Sequence, residues 1–414
     1  MQHWKNFLYH FKRFYHFFTT GLYRGLLAQL HYGQVQKKLK IIAITGTDGK
    51  TTTASLVYQL LKAAGHRVGL ISTVAAYINE QAIDTGFHVT SPAPNQLYKF
   101  MAQMVKEDLE YLVLEVTSQG AFQWRDWGIK PLIAGVTNIE RDHLDYHLCW
   151  ENYLAAKMLI LNKAKTVVAN NDGDYFSAVK KQLHPGIKLI TFNKSTRFSA
   201  PLEKAIRAKF VEEFNRLNAY LAIEITKSIG VTDKQLIEGI KNFTLPPGRM
   251  EIIPNNLSAT IIVDFAHTPA ALAVAIPSIR RNYTQKGKKL VVVFGCAGLR
   301  DAGKRPKMGK IATNLADIAI FTAEDPRSEN IWSIINQMKS DISPNERKVI
   351  SIPHRADAVY YALKNYARDH NTIAIFGKGH EQSMNYDGKT EVEWNDVIAC
   401  QHIVADLEAT RSND

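Results

Sequence analysis

The chain has 414 residues, 46% apolar and 22% charged, which suits a soluble globular protein of two or three domains and excludes a disordered or collagen-like chain. Of the net charge of +12, seven charges fall before Asp48, on Lys5, Lys12, Arg13, Arg24, Lys37, Lys38 and Lys40, and no acid precedes that aspartate. The remainder is close to balanced, which argues against a nucleic-acid-binding body and for a single basic arm. Cys149, Cys296 and Cys400 lie far apart, make no metal spacing, and in their odd number suit a reducing compartment as small core residues.

Residues 1–40 form the arm. No cleavable leader pattern and no run of about 18 apolar residues occurs in it, so no spanning helix is expected. Its aromatics are dense, and Trp4, Phe7, Phe11, Phe14 and Phe18 recur at helical spacing along one face. Two readings follow. The stripe lies in a membrane interface, or it docks on the protein's own body.

From residue 41 the pattern is α/β. Residues 41–45 read as a strand, followed by Thr45-Gly46-Thr47-Asp48-Gly49-Lys50-Thr51-Thr52-Thr53 and a helix over 52–64 that stops at Gly65. A strand, a Gly-rich turn and a helix start cradle phosphate: backbone N–H groups and the helix dipole hold the anion, Lys50 neutralises it, and a Thr hydroxyl can reach Mg²⁺. Strands are expected at 68–72, 111–116 and 132–137, with a helix at 97–106. Pro246-Pro247-Gly248 marks a boundary between a central domain, 41–245, and a second α/β series, 246–414, with strands at 260–264, 290–295, 318–322 and 372–377. Alternating strands and helices imply mostly parallel sheets with sites at the strand C-termini.

Three further groups would open at the edge of the phosphate loop. Glu115, in Glu115-Val116-Thr117-Ser118-Gln119-Gly120, ends an apolar strand where a carboxylate can hold Mg²⁺. His143 stands in the polar run 137–147, Thr-Asn-Ile-Glu-Arg-Asp-His-Leu-Asp-Tyr-His, after another apolar strand. Lys157 closes Tyr153-Leu154-Ala155-Ala156-Lys157 and by itself reads as a surface lysine on a helix.

In that order these motifs resemble the central domain of the Mur ligase superfamily, nearest to its MurE type. The second half agrees, with Gly248-Arg249-Met250-Glu251, Asp264-Phe265-Ala266-His267-Thr268-Pro269, the stretch 294–306, Glu324-Asp325-Pro326-Arg327 and Gly377-Lys378-Gly379-His380-Glu381. The resemblance implies a Mur ligase ATP-binding domain followed by a Rossmann-like domain. It also implies an ATP-dependent ligase that makes an amide bond through an acyl phosphate. Gly46, Thr47, Asp48, Gly49, Lys50, Thr51 and Thr52 would hold ATP, with Asn218 on the adenine side and Arg249 and Asp264 reaching in from the second domain. Thr51, Glu115 and His143 would hold two Mg²⁺ ions, joined by Lys157 if it is carbamylated; Lys50, His143 and Lys157 would be the catalytic set. Thr90, Ser91 and Arg125 would contact a muramoyl-peptide acceptor. Arg300, Asp325, Arg327, Gly377 and Glu381 would read a diamino acid, with Arg327 pairing the distal carboxylate of diaminopimelate. The setting would be the cytoplasm, with peripheral membrane contact through residues 1–33 as an additional expectation.

This sequence departs from the MurE pattern in four places. Forty residues precede Ile41 where that type places a folded UDP-binding domain, so the acceptor is lipid-linked or a partner protein supplies the missing surface. Gln119 stands where histidine is usual, Leu299 where aspartate is, and the stretch between Phe192 and Phe214 is short. A folylpolyglutamate-like ligase, a MurT-type amidating enzyme and a non-enzymatic scaffold stay open as alternatives.

Overall fold

The computed structural model describes residues 2–74, 76–79, 81–83, 90–344, 346 and 348–412, with residues 2–5, 82 and 412 as backbone only; the Trp4 side chain of the aromatic stripe thus lies outside the description. The chain divides into two compact units, Met1–Pro246 and Pro247–Asp414, and the basic arm is part of the first.

In the first unit the described strands are β1 (Lys40–Thr45), β2 (Val68–Ile71), β3 (Ala76–Ile78), β4 (Gln81–Ile83), β5 (Tyr111–Glu115), β6 (Ile133–Val136), β7 (Thr166–Asn170) and β8 (Lys188–Phe192). They form one sheet in the order β4-β3-β2-β5-β1-β6-β7-β8. All pairings are parallel except those that add β3 and β4 at the edge. The sheet is covered on both faces, which is why its strands read as unbroken apolar runs. Along β1, Ile41 and Ala43 join the core on one face and Ile42 and Ile44 the core on the other. Because β1 lies between β5 and β6, the chain leaves it toward both sides, which opens a crevice at the strand C-termini. The register places Ile44 opposite Glu115 and Thr45 opposite Val136, so the three strands end level.

The helix after β1 spans Lys50–Ala63, two residues earlier than the apolar spacing suggests, because Gly49 takes a left-handed φ of 80° and starts it. It ends at Gly65, also left-handed, as expected. Of the three cysteines, Cys296 and Cys400 are buried, whereas Cys149 is only partly so.

The arm is helical from Gln2 to Tyr32: an α-helix Gln2–His16, a π-helix Phe17–Gly25 and a second α-helix Leu26–Tyr32 ended by left-handed Gly33. It packs on the first unit, but not by the stripe that its spacing singles out. Tyr9 lies tilted against Phe122 at 4.5 Å, and Phe17 meets Trp124 and Trp127 edge-on at 5.2 and 5.7 Å. Gly21 and Gly25 lie so close to Trp127 that a Cβ on either would collide with the indole. Phe7, Phe11, Phe14 and Phe18 remain exposed on the other side.

In the second unit the described strands are β9 (Glu251–Ile252), β10 (Thr260–Asp264), β11 (Leu290–Cys296), β12 (Ile318–Ala323), β13 (Val349–Ser351) and β14 (Thr372–Phe376), ordered β13-β12-β11-β14-β10-β9. β9 is antiparallel and the others parallel. A hairpin of β15 (Ser383–Asn385) and β16 (Glu391–Glu393) follows. Asp264, Glu324 and Gly377 stand at or just beyond the C-terminal ends of β10, β12 and β14.

Candidate active site

In the first unit the phosphate-type loop fills the mouth of the crevice. Gly46 has φ 150°, and a Cβ there would collide with the Thr137 hydroxyl; a Cβ on Gly49 would collide with the Asn218 amide. Asn218 therefore sits directly against the loop, though 169 positions away along the chain by difference of residue numbers. Neighbouring motifs fix the loop itself. Thr47 N–H donates to Asn138 O at 2.9 Å, Asp48 N–H to Asn138 Oδ1 at 3.0 Å, and Glu140 N–H to Thr47 Oγ1 at 2.9 Å. Lys50 Nζ donates to Thr47 O at 2.7 Å. Within the helix, Thr53 N–H pairs with Gly49 O, so the N–H groups of residues 50–52 precede the first intrahelical bond.

Glu115 collects hydroxyls. Its buried carboxylate accepts from Thr51 Oγ1 at 3.1 Å, from Thr73 Oγ1 at 2.9 Å and from Thr73 N–H at 3.0 Å, and Thr73 Oγ1 also lies 3.0 Å from Thr90 Oγ1. Thr51, Glu115 and Thr90 are thus brought together. Thr73 was not among the sequence-derived candidates; its only signal is a hydroxyl just past a strand end. The donor set is of hard oxygens at a helix N-terminus, the type that suits Mg²⁺ completed by phosphate oxygens and water. Among the described residues no group of three or more His, Cys, Asp or Glu side chains gathers as a metal cluster.

Lys157 is not a surface residue. It is 1% exposed, its Nζ donates to Gly46 O at 2.5 Å, and the ammonium lies 4.4 Å from the Tyr153 ring centre. Burial holds its pKa well below the ordinary lysine value, and Lys50 nearby lowers it further. Tyr153, whose hydroxyl is 3.0 Å from Thr47 Oγ1, completes the floor of the loop.

His143 takes a left-handed φ of 52°, rare for a residue with a Cβ, and its Nε2 is 3.1 Å from Asp142 Oδ2. Four residues on, buried His147 is held by Tyr9 OH at 2.8 Å on Nδ1 and Ser118 Oγ at 3.0 Å on Nε2. Desolvation pushes its pKa down to about 3, with Lys157 and His143 adding to the effect, so His147 is neutral. Tyr9 of the arm is thereby tied to the two loops that carry Glu115 and His143. On the same side, Ser91 Oγ lies 3.1 Å from Thr117 Oγ1, and Arg125 Nη1 donates to Ser91 O at 2.7 Å. Arg125 also reaches Gln123 Oε1 at 2.8 Å through Nε, so it is fixed by hydrogen bonds.

In the second unit Asp264 organises its surroundings by accepting Met250 N–H and Ala266 N–H at 2.9 Å each, while the Arg249 guanidinium lies 4.3 Å over the Phe265 ring. Asp325 and Arg327 both take left-handed φ, 42° and 54°. Asp325 Oδ1 accepts from Lys378 Nζ at 2.9 Å and from Asn385 N–H at 3.0 Å. Arg327 Nη1 donates to Gly298 O at 2.6 Å, which ties the loop after β12 to the loop after β11. Lys378 also pairs with Glu381. Arg300 stays exposed on the β11 loop. Beneath these loops, fully buried Arg355 forms a two-pronged pair with fully buried Asp396 at 2.8 and 2.6 Å, and donates to Ala323 O and Phe376 O, the last residues of β12 and β14.

Glu324 belongs to the group although it was not among the sequence-derived site residues; an acid ending an apolar strand is the same signal that marks Glu115. Its buried carboxylate lies against Gly377, and desolvation raises its pKa to about 7 despite Lys304 and Arg355 nearby. Below the ordinary value of 4.5 it is protonated in both folded and unfolded chains and has no effect. Above that value the unfolded chain ionises first, so stability falls as pH rises and the loss is complete above about 7, amounting to about 3 kcal/mol. Denaturant unfolding at pH 5 and pH 8 should show this loss in the native protein and not in Glu324→Gln. Parallel profiles for the two proteins would sink the assignment.

Comparison with known proteins gives consistent matches. Residues 44–232 match the Mur ligase middle domain, and residues 248–379 match the Mur ligase glutamate ligase domain. A UDP-N-acetylmuramoyl-L-alanyl-D-glutamate–2,6-diaminopimelate ligase of Clostridium botulinum is 34% identical over 388 residues, covering 88% of this chain and 78% of that protein. A solved structure of a ligase of the same name aligns with 26% identity and a TM-score of 0.56, over 89% of this chain and 79% of that one. The bifunctional folylpolyglutamate/dihydrofolate synthase of Yersinia pestis, solved with AMPPNP and a Mn ion, shares the fold at 17% identity and a TM-score of 0.66, over 94% of this chain and 93% of its own.

Proposed function

The chain belongs to the Mur ligase family of ATP-dependent ligases, and from that premise we propose that it joins meso-diaminopimelate to the D-glutamate carboxylate of a muramoyl dipeptide, in the cytoplasmic synthesis of peptidoglycan precursors. The observation that carries the reading is the convergence of Thr51, Thr73 and Glu115 at a helix N-terminus, with the Lys157 amine buried behind the same loop.

In this reaction the acceptor carboxylate attacks the γ-phosphorus of ATP, releasing ADP and leaving an acyl phosphate. The amine of the diamino acid then attacks the acyl carbon, and phosphate departs with the C–O bond electrons. The protein's part is positioning and charge neutralisation. The N–H groups of residues 50–52 and the Lys50 ammonium would take the β- and γ-phosphates. Thr51 and Glu115 would hold one Mg²⁺, and Glu115 with His143 a second; the ions, when bound, neutralise charge on the transferring group. Asn218, which lies against Gly49, would serve the nucleotide's base side, while Arg249 and Asp264 would serve it from the second unit. Thr90, Ser91 and Arg125 would receive the acceptor.

Lys157 supports the reading in a specific way. Only an unprotonated amine adds CO₂, and burial favours that form. The addition forms an N–C bond, gives a carbamate and releases one proton, which turns the neutral amine into an anionic oxygen ligand. In the second unit, Arg327 would pair with the distal carboxylate of diaminopimelate, a group lysine lacks. Lys378, shared between Asp325 and Glu381, lessens the repulsion of Asp325 for that carboxylate.

The test is phosphate release from ATP with Mg²⁺ and UDP-N-acetylmuramoyl-L-Ala-D-Glu, with either meso-diaminopimelate or L-lysine as the amine. Turnover with diaminopimelate alone is expected, and Arg327→Ala should remove the preference. Equal turnover with both amines would overturn the amino-acid assignment. ATP binding with no turnover on the UDP-linked dipeptide would overturn the acceptor and point to a lipid-linked one.

A further inference from the structure

We infer that the outward face of the N-terminal arm is a docking surface for an anionic lipid bilayer. The arm has two faces with different work. Its inward face is committed: Tyr9 reaches His147 and Phe122, Phe17 meets two tryptophans, and Gly21 and Gly25 press on Trp127. The arm therefore cannot roll to hide its other side. That side carries Phe7, Phe11, Phe14 and Phe18 at helical spacing and continues to Tyr23 and Leu30. Phe14, Tyr23 and Leu30 are 60%, 66% and 72% exposed. Phe7 stacks on Phe11 at 6.4 Å and Phe14 meets Phe18 edge-on at 4.7 Å, so the exposed rings pair along the helix. Soluble proteins seldom leave such a patch bare unless it meets a partner or a membrane.

Charge selects the partner. The arm and its link to β1 hold six lysines and arginines and no acid, and a seventh, Lys40, begins β1 and pairs with Glu110. Lys12, Arg24, Lys37 and Lys38 are exposed along the arm and its link to β1, with the Lys12 ammonium 4.6 Å over the Tyr146 ring. A second copy would bring like charges together with no acid to pair them. A bilayer with anionic headgroups would take the bases while the rings enter the acyl boundary. No helix among the described residues is long and apolar enough to cross a membrane, so the arm would lie in the interface plane. Aromatic rings with a polar neighbour suit that depth.

This surface does not depend on the ligase reading, because its test needs neither ATP nor amino acid. The full chain is mixed with vesicles of equal parts phosphatidylglycerol and phosphatidylcholine, or of phosphatidylcholine alone, and sedimented. Binding to the anionic vesicles should be at least about tenfold tighter, and should weaken as salt rises from about 0.1 M to about 0.5 M. Phe14→Ser with Tyr23→Ser should cut it at least about tenfold with an unchanged Tm, since both side chains are mostly in solvent. Lys12→Glu with Arg24→Glu should remove the preference for anionic lipid. Failure to bind either vesicle would overturn the proposal. So would a concentration-dependent dimer in light scattering that Phe14→Ser dissociates, which would assign the face to a second copy.

Discussion

Replacing Lys157 by alanine should lower ATP-dependent ligation about 10²–10³-fold, the range expected when one preorganised charged group is taken from a transferring phosphoryl site. The substitution removes the amine that touches Gly46 O behind the phosphate loop, and with it any carbamate that the amine forms. Because the side chain is 1% exposed, alanine also leaves a void, so Lys157→Met is the control that keeps the volume. Both variants should lose turnover, and only alanine should lose much stability. Native enzyme in CO₂-depleted buffer should slow and recover with bicarbonate, whereas neither variant should respond. The measurement is steady-state phosphate release with and without bicarbonate. Retention of more than about a tenth of native turnover in Lys157→Met would remove Lys157 from the catalytic set.

The second large effect concerns stability. Asp396→Ala should destabilise the second unit by about 3–5 kcal/mol, because it strands the Arg355 guanidinium in a site with no solvent access. For a unit of this size the midpoint should fall by about 10 °C. Arg355 also holds the final carbonyls of β12 and β14, from which the Glu324–Arg327 and Gly377–Glu381 segments depart. The same variant should therefore raise KM for the amino acid more than KM for ATP. A double change, Arg355→Met with Asp396→Leu, should recover much of the stability, since a well-packed apolar pair is often neutral relative to a buried ion pair. It should not recover the amino-acid KM. Thermal unfolding of the native protein and the two variants separates these outcomes; an Asp396→Ala midpoint within about 2 °C of native would contradict the burial argument.

The parts of this molecule that were legible in the sequence are those where one local rule dominates. The strands β1, β5 and β6 read as apolar runs because both faces of the sheet are covered. Gly46 and Gly49 stood out because the loop they build tolerates no Cβ. Four things were not legible. The edge hairpin β3–β4 and the outer strand β8 are short or half-exposed, so their apolar signal is weak. Arg355 and Asp396 lie 41 positions apart, and neither residue by itself suggests a buried partner. The arm shows the limit most clearly. Helical spacing identified Phe7, Phe11, Phe14 and Phe18 as one face, but periodicity does not say whether a face points in or out. The inward face is mixed, with Tyr9, Phe17 and two glycines, and its signal was hidden beneath the stronger stripe. Lys157 is the corresponding case for chemistry, since a lysine on a helix is ordinarily solvated and only the tertiary structure seals it.

The bond between Tyr9 and His147 also sets a timetable. The two residues are 138 positions apart, so at a synthesis rate of about 5–20 residues per second the arm waits about 7–30 s on the ribosome before its partner exists. During that interval both of its faces are bare, the committed one as well as the outward one. Closure of the arm onto Phe122 and Trp127 would then be a late step, one that completes the first unit only after His147 has been made.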